Sequence, residues 1–242
     1  MTRRMVYIVG GGYNYAVMFK EAGWGTTQVI EEADLIQFTG GEDVTPSLYK
    51  EGRHPTTGNN PKRDEYEQGI YQQALELNVP MAGICRGGQF LNVMNGGKMW
   101  QNVDGHLGSH NATVSGYIGT VRVSSTHHQM MRPNMEAPHI VLMTAQLSKI
   151  KENVSPSGVI IRTHVAKGRE DEDVESIFYP ETRCLSYQPH PEFDNVSQCR
   201  RVYFHFINNY LFEKKNFDEA AHELMDNSIH ERTVNELLLN AA

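Results

Sequence analysis

Short apolar runs alternate with longer amphipathic segments in the first half of the chain. The runs cover residues 5–9, 35–38 and 79–84, and each of them ends in glycines or a polar turn. Between them, apolar residues recur with helical spacing at residues 13–22 and 64–77. Short buried strands that alternate with helices are typical of a parallel sheet covered on both faces. The pattern predicts a three-layer α/β domain whose site lies at the carboxyl ends of the strands.

From about Thr113 the pattern changes to alternating, β-branched segments such as "TVRVSST" and "HIVLMTAQ". These segments predict additional antiparallel strands in the second half of the same domain. The dense acidic block in "KGREDEDVESIFYP" is predicted to be a solvated loop. Helical patterns follow in "SQCRRVYFHFINNYLFEKK" and again after Phe217. We therefore divide the chain into a main domain, residues 1–215, and a C-terminal helical extension, residues 216–242.

Composition narrows the class of protein. A chain of 242 residues is long enough to bury the core of one large domain. The net charge of −7 argues against nucleic acid as a partner, because phosphate binding needs clustered Lys and Arg. The three cysteines lack the paired spacing of a disulfide framework, and the first apolar run is too short to span a membrane. These features favour a cytoplasmic protein without a membrane partner.

A cysteine stands at the end of the third apolar run, in the stretch "PMAGICRGGQF" of residues 80–90. Glycines two residues before and after Cys85 give the G-x-C-x-G form of a nucleophile elbow, with a helix predicted through "RGGQFLNVMN". The N-terminal end of that helix would favour a thiolate. The N–H of Arg86 would form half of an oxyanion hole, and Gly40 or Gly41 in "TGGED" would supply the second donor.

A candidate base lies in the later segment "SYQPHPEF". His190 stands there between two prolines, and Glu192 follows two residues later. In an extended segment, residues i and i+2 point to the same side, so the carboxylate can hold the imidazole in one tautomer. The two motifs, in this order along the chain, predict a catalytic triad of Cys85, His190 and Glu192.

With these motifs the chain resembles the class I glutamine amidotransferases, and within them the γ-glutamyl hydrolase branch that includes γ-glutamyl-γ-aminobutyrate hydrolases (peptidase C26). The resemblance runs from about residue 5 to residue 210. It rests on five ordered blocks: "TGGEDVTPSLYKEG", "KRDEYE", "GICRGGQFLNVMNGGKMWQ", "SSTHHQ" and "QPHPE". It implies a flavodoxin-like fold with a mostly parallel central sheet, and it makes residues 1–215 the catalytic domain.

Carried over to this chain, the resemblance makes Cys85 the nucleophile, His190 the base and then the acid, and Glu192 the orienting carboxylate. It puts the backbone oxyanion donors at Gly41 and Arg86. Four residues are implied to bind the glutamyl group: Gly40, Gln89, His128 and Gln129. The chain departs from the family pattern at Thr39, Gly88 and Pro189, and the last two of these departures affect the pocket wall rather than the chemistry.

The implied reaction is hydrolysis of a γ-glutamyl C–N bond through a thioester, without a cofactor. If ammonia leaves, the protein is a glutaminase that feeds a synthetase, and if a larger amine leaves, it is a γ-glutamyl-amine hydrolase. The chain has no P-loop motif, so an ammonia acceptor would be a separate protein.

Three alternatives complete the sequence-based interpretation. One is a non-catalytic interaction scaffold, and another is an oligomeric assembly. The last is a metal site formed by histidines, which is rejected at this point because no H-x-x-x-H motif falls on a predicted helix. The histidines considered for it are His106, His110, His127 and His128.

Overall fold

A computed structural model describes residues 3–116, 119–165, 172–193 and 197–213. The predicted C-terminal extension, residues 216–242, lies outside the described residues. So does the centre of the acidic block, residues 166–171. In the described part of the chain, none of the helices combines the length and the apolar composition that crossing a membrane requires.

The first half of the chain alternates strands and helices as predicted. Two residues define the start of helix α2. Pro61 occupies its first turn, and the Asn60 side chain caps it by accepting a hydrogen bond from the Arg63 N–H at 3.3 Å. The elements of this half, in order, are β1 (Met5–Val9), α1 (Tyr13–Glu21), β2 (Gly25–Thr27), β3 (Leu35–Phe38), α2 (Pro61–Glu76), β4 (Met81–Ile84) and α3 (Arg86–Met94). Two 3₁₀ turns, Ile30–Glu32 and Pro46–Tyr49, lie between them.

The second half is rich in strands and ends in a helix. Its strands are β5 (Lys98–Trp100), β6 (Asn102–Val103), β7 (Leu107–Val114), β8 (Thr120–Thr126), β9 (Met130–Arg132), β10 (Ile140–Ala145), β11 (Ile150–Val154), β12 (Ile160–His164), β13 (Asp173–Tyr179) and β14 (Cys184–Tyr187). Helix α4 covers Ser197–Phe206 and continues into a π-helix at Ile207–Phe212.

The central sheet has the order β2-β1-β3-β4-β14-β13-β10-β7-β8. Strands β2, β1, β3, β4 and β14 are parallel to one another, whereas β13, β10, β7 and β8 extend the sheet with antiparallel pairings. Smaller sheets pair β12-β11-β6 and β5-β9. The predicted α/β fold, with antiparallel strands in its second half, is confirmed.

Two apolar clusters cover the faces of the central sheet. On one face, Met18 and Phe19 of α1 pack with Val202 and Phe206 of α4 against the strands. On the other, α2 and α3 pack through the buried side chains Ile70, Tyr71, Ala74, Phe90 and Leu91. Each helix therefore buries its apolar face against the sheet, which gives the three predicted layers.

The acidic block was predicted to be a solvated loop. For its second half, which begins at Asp173, this prediction is wrong. Asp173 and Glu175 lie in β13 and are 1% and 0% exposed. Asp173 pairs with Lys151, and Glu175 lies beside His106 and His110. The charges are buried because partners from other segments of the chain surround them, and the local sequence pattern does not reveal these partners.

Candidate active site

The candidate residues come together at the carboxyl edge of three adjacent strands. Strand β4 lies between β3 and β14 in the sheet. Cys85 follows β4, Gly40 and Gly41 follow β3, and His190 follows β14. Parallel pairing brings the ends of these strands to one edge, which is where α/β folds build their sites. Residues far apart in the sequence therefore share one site.

Cys85 forms a sharp turn between β4 and α3. Its φ of 51° and ψ of −113° lie in a region that non-glycine residues rarely adopt, at a typical cost of about 1–3 kcal/mol. The Cys85 N–H donates to the Tyr187 carbonyl at 2.7 Å, which fixes the turn to β14. A Cβ on Gly83 would lie 2.3 Å from the Gly87 carbonyl carbon, and one on Gly87 would lie 2.4 Å from the Phe38 oxygen. The glycines thus let α3 pack directly on the strands.

His190 is held by contacts to its ring and to its backbone. Its Nδ1–H donates to Glu192 Oε1 at 2.7 Å, and Nε2 lies 2.9 Å from the Thr126 hydroxyl, while the ring also interacts with Cys85. The Ser124 hydroxyl donates to the His190 carbonyl at 2.8 Å and accepts from its N–H at 3.0 Å. The imidazole is therefore fixed between a thiol and a carboxylate.

The environment of His190 favours the imidazolium ion. Burial alone would lower the pKa of His190, but the hydrogen bonds to Cys85 and Glu192 outweigh burial and raise the pKa to about 10. The Phe193 ring stacks on the imidazole, with centroids 4.7 Å apart and planes at 3°. At neutral pH a cation therefore lies beside the Cys85 sulfur, where it can stabilise negative charge on a nucleophile.

Tyr15 of α1 also reaches the candidate site, although its role was not predicted. Its hydroxyl accepts from the Gly40 N–H at 2.9 Å and lies near the charge of Glu192. Burial, and then the charge of Glu192, raise the pKa of Tyr15 well above its usual value, so the phenol remains a donor. No sequence motif marks this residue, since it occupies an ordinary helical position. Tyr15 holds the Gly40 backbone beside the site.

A cavity of about 280 Å³ opens in front of the thiol. Gln89 and His128 line it, as predicted for glutamyl-binding residues, whereas the described lining includes neither Gly40 nor Gln129. Gln129 is 1% exposed because its amide turns inward and donates to the Thr57 hydroxyl at 3.2 Å. The N–H of Gly40 is bound to Tyr15. The full lining is Gly41, Glu42, Asp43, Thr56, Gly58, Cys85, Gln89, Thr126, His127 and His128.

Charged groups of both signs face the cavity. His128 Nε2 lies 3.3 Å from Asp43 Oδ2, and this hydrogen bond raises the pKa of His128. Burial, and then the neighbouring His106, lower the pKa of His127 well below its usual value, which keeps that ring neutral. The cavity thus presents an imidazole with a raised pKa beside carboxylates, a set that suits a zwitterionic head group.

The two predicted oxyanion donors are Gly41, which lines this cavity, and Arg86, which follows Cys85 in the chain. Gly41 lines it with a φ of 143°, and a Cβ there would meet Arg63 Nη1 at 2.1 Å, so only glycine fits. Arg86 is the first residue of α3, where backbone N–H groups have no partner within the helix. Its side chain is buried and pairs with Asp64 and Glu67 of α2.

The sequence model of the Peptidase C26 family matches residues 4–192, which span every candidate catalytic residue. The chain belongs to the peptidase C26 family. This match confirms the resemblance to that family seen in the five sequence blocks. Membership indicates a hydrolase of the glutamine amidotransferase-like type.

Relatives with curated names support the same class. The Schizosaccharomyces pombe protein PB2B2.05, which its name assigns to the glutamine amidotransferases, is 29% identical over 206 residues, or 78% of this chain and 76% of that protein. The glutamine amidotransferase-like YvdE homolog of Lactococcus lactis is 46% identical over 71 residues, or 29% of this chain. The chain spans only 26% to 38% of the length of that protein and three further relatives.

Solved structures share the fold of this C26 family member. A GMP synthase component from Thermoplasma acidophilum superposes with a TM-score of 0.58 at 16% identity, covering 86% of this chain and 94% of that one. A glutamine amidotransferase from Thermotoga maritima gives 0.54 at 14% identity, covering 98% and 96%. At these identities the likeness concerns the fold alone.

Proposed function

We propose that this C26 family member hydrolyses a γ-glutamyl C–N amide bond, with Cys85 as nucleophile, His190 as base and acid, and Glu192 as the orienting carboxylate. One observation carries the proposal. The thiol on the strained turn interacts with His190, whose Nδ1 is held by the Glu192 carboxylate at 2.7 Å, and all three residues lie within the match to a glutamine amidotransferase-like family.

The proposed reaction begins with attack of the Cys85 sulfur on the amide carbon of the substrate side chain. The carbonyl oxygen takes the negative charge, and the N–H groups of Gly41 and Arg86 stabilise it. His190 then gives its Nε2 proton to the leaving amine as the C–N bond breaks, which leaves a γ-glutamyl thioester. Water, deprotonated by His190, attacks the thioester, releases glutamate and restores the thiol.

The charges in the cavity suit the glutamyl head group in this proposal. An α-carboxylate would pair with the His128 imidazolium, and an α-ammonium group would pair with Glu42 or Asp43. The Gln89 amide would add a hydrogen bond from the wall of the cavity. These groups bind the part of the substrate that does not react, and they hold the amide carbon near the sulfur.

We further propose glutamine as the substrate and a separate synthetase as the ammonia acceptor. The carbamoyl phosphate synthase small chain of Thermotoga maritima is 26% identical over 135 residues, or 51% of this chain and 34% of that one. The carbamoyl phosphate synthase small chain of Buchnera aphidicola is 26% identical over 100 residues. Both names describe one chain of a synthase, and a glutaminase unit that delivers ammonia to another chain is consistent with them.

A second candidate is a free-standing γ-glutamyl-amine hydrolase, and one observation favours it. The Glu42 side chain is 54% exposed at the rim of the cavity, where it would attract the charged end of a diamine leaving group. Arg63 pairs with the same carboxylate at 3.1 Å and weakens that attraction. Glutamine therefore remains the preferred substrate.

Product analysis distinguishes the two candidates. The purified protein is incubated with L-glutamine and, separately, with γ-glutamyl amines that include γ-glutamyl-γ-aminobutyrate. We expect glutamate and ammonia from glutamine, and none from the Cys85→Ser variant. Cleavage of a γ-glutamyl amine, with glutamine untouched, would reject the glutaminase proposal in favour of the second candidate. Absence of turnover, together with a thiol that resists alkylation, would favour the interaction scaffold.

The Glu192→Gln variant tests the orienting carboxylate. An amide at this position removes the negative charge beside Nδ1, so we expect the pKa of His190 to fall and kcat/KM to drop about 10²-fold. The fall in pKa is measured by NMR titration of the imidazole. Glu65→Gln, on the exposed side of α2, makes the same change of charge and serves as the control. An unchanged His190 titration would reject the proposed role of Glu192.

A further inference from the structure

A cluster of buried histidines and carboxylates lies between β7 and β13, and the proposed reaction does not use it. His106 precedes β7, His110 lies within it, and Asp173 and Glu175 belong to β13. Exposure is 1% for His106, 9% for His110 and 0% for Glu175. His127 separates the cluster from the candidate active site, because its ring lies 4.7 Å from that of His106 and lines the cavity.

The protonation of His106 follows from the partners of Asp173. Oδ2 of Asp173 accepts the backbone N–H groups of Leu147 at 2.8 Å and Ser148 at 2.9 Å, while Oδ1 pairs with Lys151 at 3.0 Å. This carboxylate acts as an acceptor throughout, so His106 Nε2, at 3.0 Å, donates its proton to it. In the neutral ring, Nδ1 of His106 then carries a lone pair.

That lone pair faces another acceptor. His106 Nδ1 lies 3.4 Å from Glu175 Oε1, and His110 Nε2 lies 3.0 Å from the same oxygen. Within this described cluster, His106 Nδ1, His110 Nδ1 and Glu175 Oε2 are buried without a hydrogen-bond partner. A buried polar atom without a partner destabilises the folded state, because it loses its bond to water and gains none. A positive charge between His106 Nδ1 and Glu175 would remove the penalty for these two groups, and only an additional proton or a metal ion can supply it.

The spacing of the three side chains matches a metal site. A tetrahedral ion with ligand distances of about 2.0–2.2 Å separates its ligand atoms by about 3.3–3.6 Å. The ligand atoms of His106, His110 and Glu175 all lie within 4.8 Å of one another, and the two separations to Glu175 Oε1 are 3.4 and 3.0 Å. Asp173 would orient His106 through its second ring nitrogen, which is the usual arrangement behind a metal-bound imidazole.

We propose that His106, His110 and Glu175 bind one divalent first-row transition ion of the zinc type, with water completing the coordination. Two imidazoles and a carboxylate form a ligand set that suits such ions. The ion would enter beside His110, where residues 107–109 are exposed. Binding at this cluster is independent of the proposed reaction.

Bound metal would also stiffen the loop that carries His190. The Glu175 carbonyl accepts the Gln188 N–H at 2.8 Å, so a ligand on β13 is one hydrogen bond away from the start of that loop. Linking His106 and His110 to Glu175 would fix β7 against β13, although the sheet order separates these strands by β10. The role that follows is structural support of the site.

The test uses the full chain with Cys85→Ser as background, because a reactive thiol beside an imidazole binds zinc on its own. After treatment with a chelator, the protein is titrated with Zn²⁺ by calorimetry and with Co²⁺ by visible absorption. We expect one ion per chain and a tetrahedral cobalt spectrum. At a free zinc concentration of about 100 times Kd, we expect Tm to rise by about 5–10 °C.

His110→Gln removes the ligand at the rim and is expected to weaken zinc binding at least about 10²-fold and to abolish the rise in Tm. Glu175→Gln provides a second test at the shared ligand. His139→Gln, outside the cluster, serves as the matched control and is expected to bind like the background protein. Equal zinc affinity in His110→Gln and in the control would overturn the proposal. Failure of the background protein to bind either ion would overturn it as well, and would assign the positive charge to a proton.

Discussion

Cys85→Ser is expected to lower kcat/KM by roughly 10⁴- to 10⁶-fold and to leave the fold intact. The hydroxyl is a far weaker nucleophile than the thiol, but serine occupies the same strained turn and has a similar size. The backbone bonds of residue 85 to Tyr187 and Gln89, at 2.7 and 3.0 Å, are unaffected by the change. Steady-state hydrolysis of the substrate identified by product analysis measures the loss, and circular dichroism verifies the fold.

Cys184→Ser is the matched control for this prediction. Cys184 is also a buried thiol, but it begins β14 and pairs with Met81, so it lies at the opposite end of the strands from Cys85. Burial raises the pKa of Cys184 to about 11, which makes it an inert core thiol. We expect its substitution to leave kcat/KM within a few fold of the parent value. Hydrolysis by Cys85→Ser at the parent rate would eliminate Cys85 as the nucleophile.

The second large effect concerns stability rather than chemistry. Arg86→Met is expected to reduce the free energy of unfolding by about 3–5 kcal/mol, because it leaves the buried Asp64 carboxylate without its cation and Glu67 with Arg63 alone. Arg86 is 1% exposed and pairs with Asp64 and Glu67, which are themselves 2% and 0% exposed. Burial, and then repulsion from Arg63, lower the pKa of Arg86 to about 10, so the guanidinium stays charged at neutral pH.

Urea denaturation of the parent protein, of Arg86→Met and of Arg162→Met measures how much free energy of unfolding each substitution removes. The Arg162 side chain is 59% exposed and bonds to Glu152 at 2.6 Å, so its loss is expected to cost less than about 1 kcal/mol. Both variants replace an arginine that contacts a carboxylate, and they differ in burial. If both variants lost the same small amount of unfolding free energy, the ion pairs of Arg86 would not be what stabilises the packing of α3 on α2.

The parallel part of the sheet could be predicted from the sequence because its strands are short, apolar and separated by helices. Runs 5–9 and 35–38 match β1 and β3 residue for residue. The motif at Cys85 also implied a strand, a turn and a helix, and the structure has β4, the turn and α3 in that order. These features are local, so neighbouring residues carry the information needed to predict them.

The side chains that support the candidate site were harder to predict because they come from other elements. Tyr15 lies on α1, and Thr126 and Ser124 lie on the antiparallel strand β8. Only the alternation along β8 hinted that residues 124 and 126 share a face. Asp173 and Glu175 were misassigned for the same reason, since their partners lie on elements distant in the sequence. Tertiary contacts of this kind have no signature in a local pattern.

The position of β14 determines when the site can form during synthesis. This strand is the last of the sheet in chain order, yet it lies between β4 and β13 in space. The segment that carries His190 follows it directly, so Cys85 leaves the ribosome about a hundred residues before its partner. A nascent or truncated chain that lacks β14 therefore holds Cys85 without His190. Under the proposed mechanism such a chain has the nucleophile but no base, so activity would begin only when the whole sheet has been synthesised.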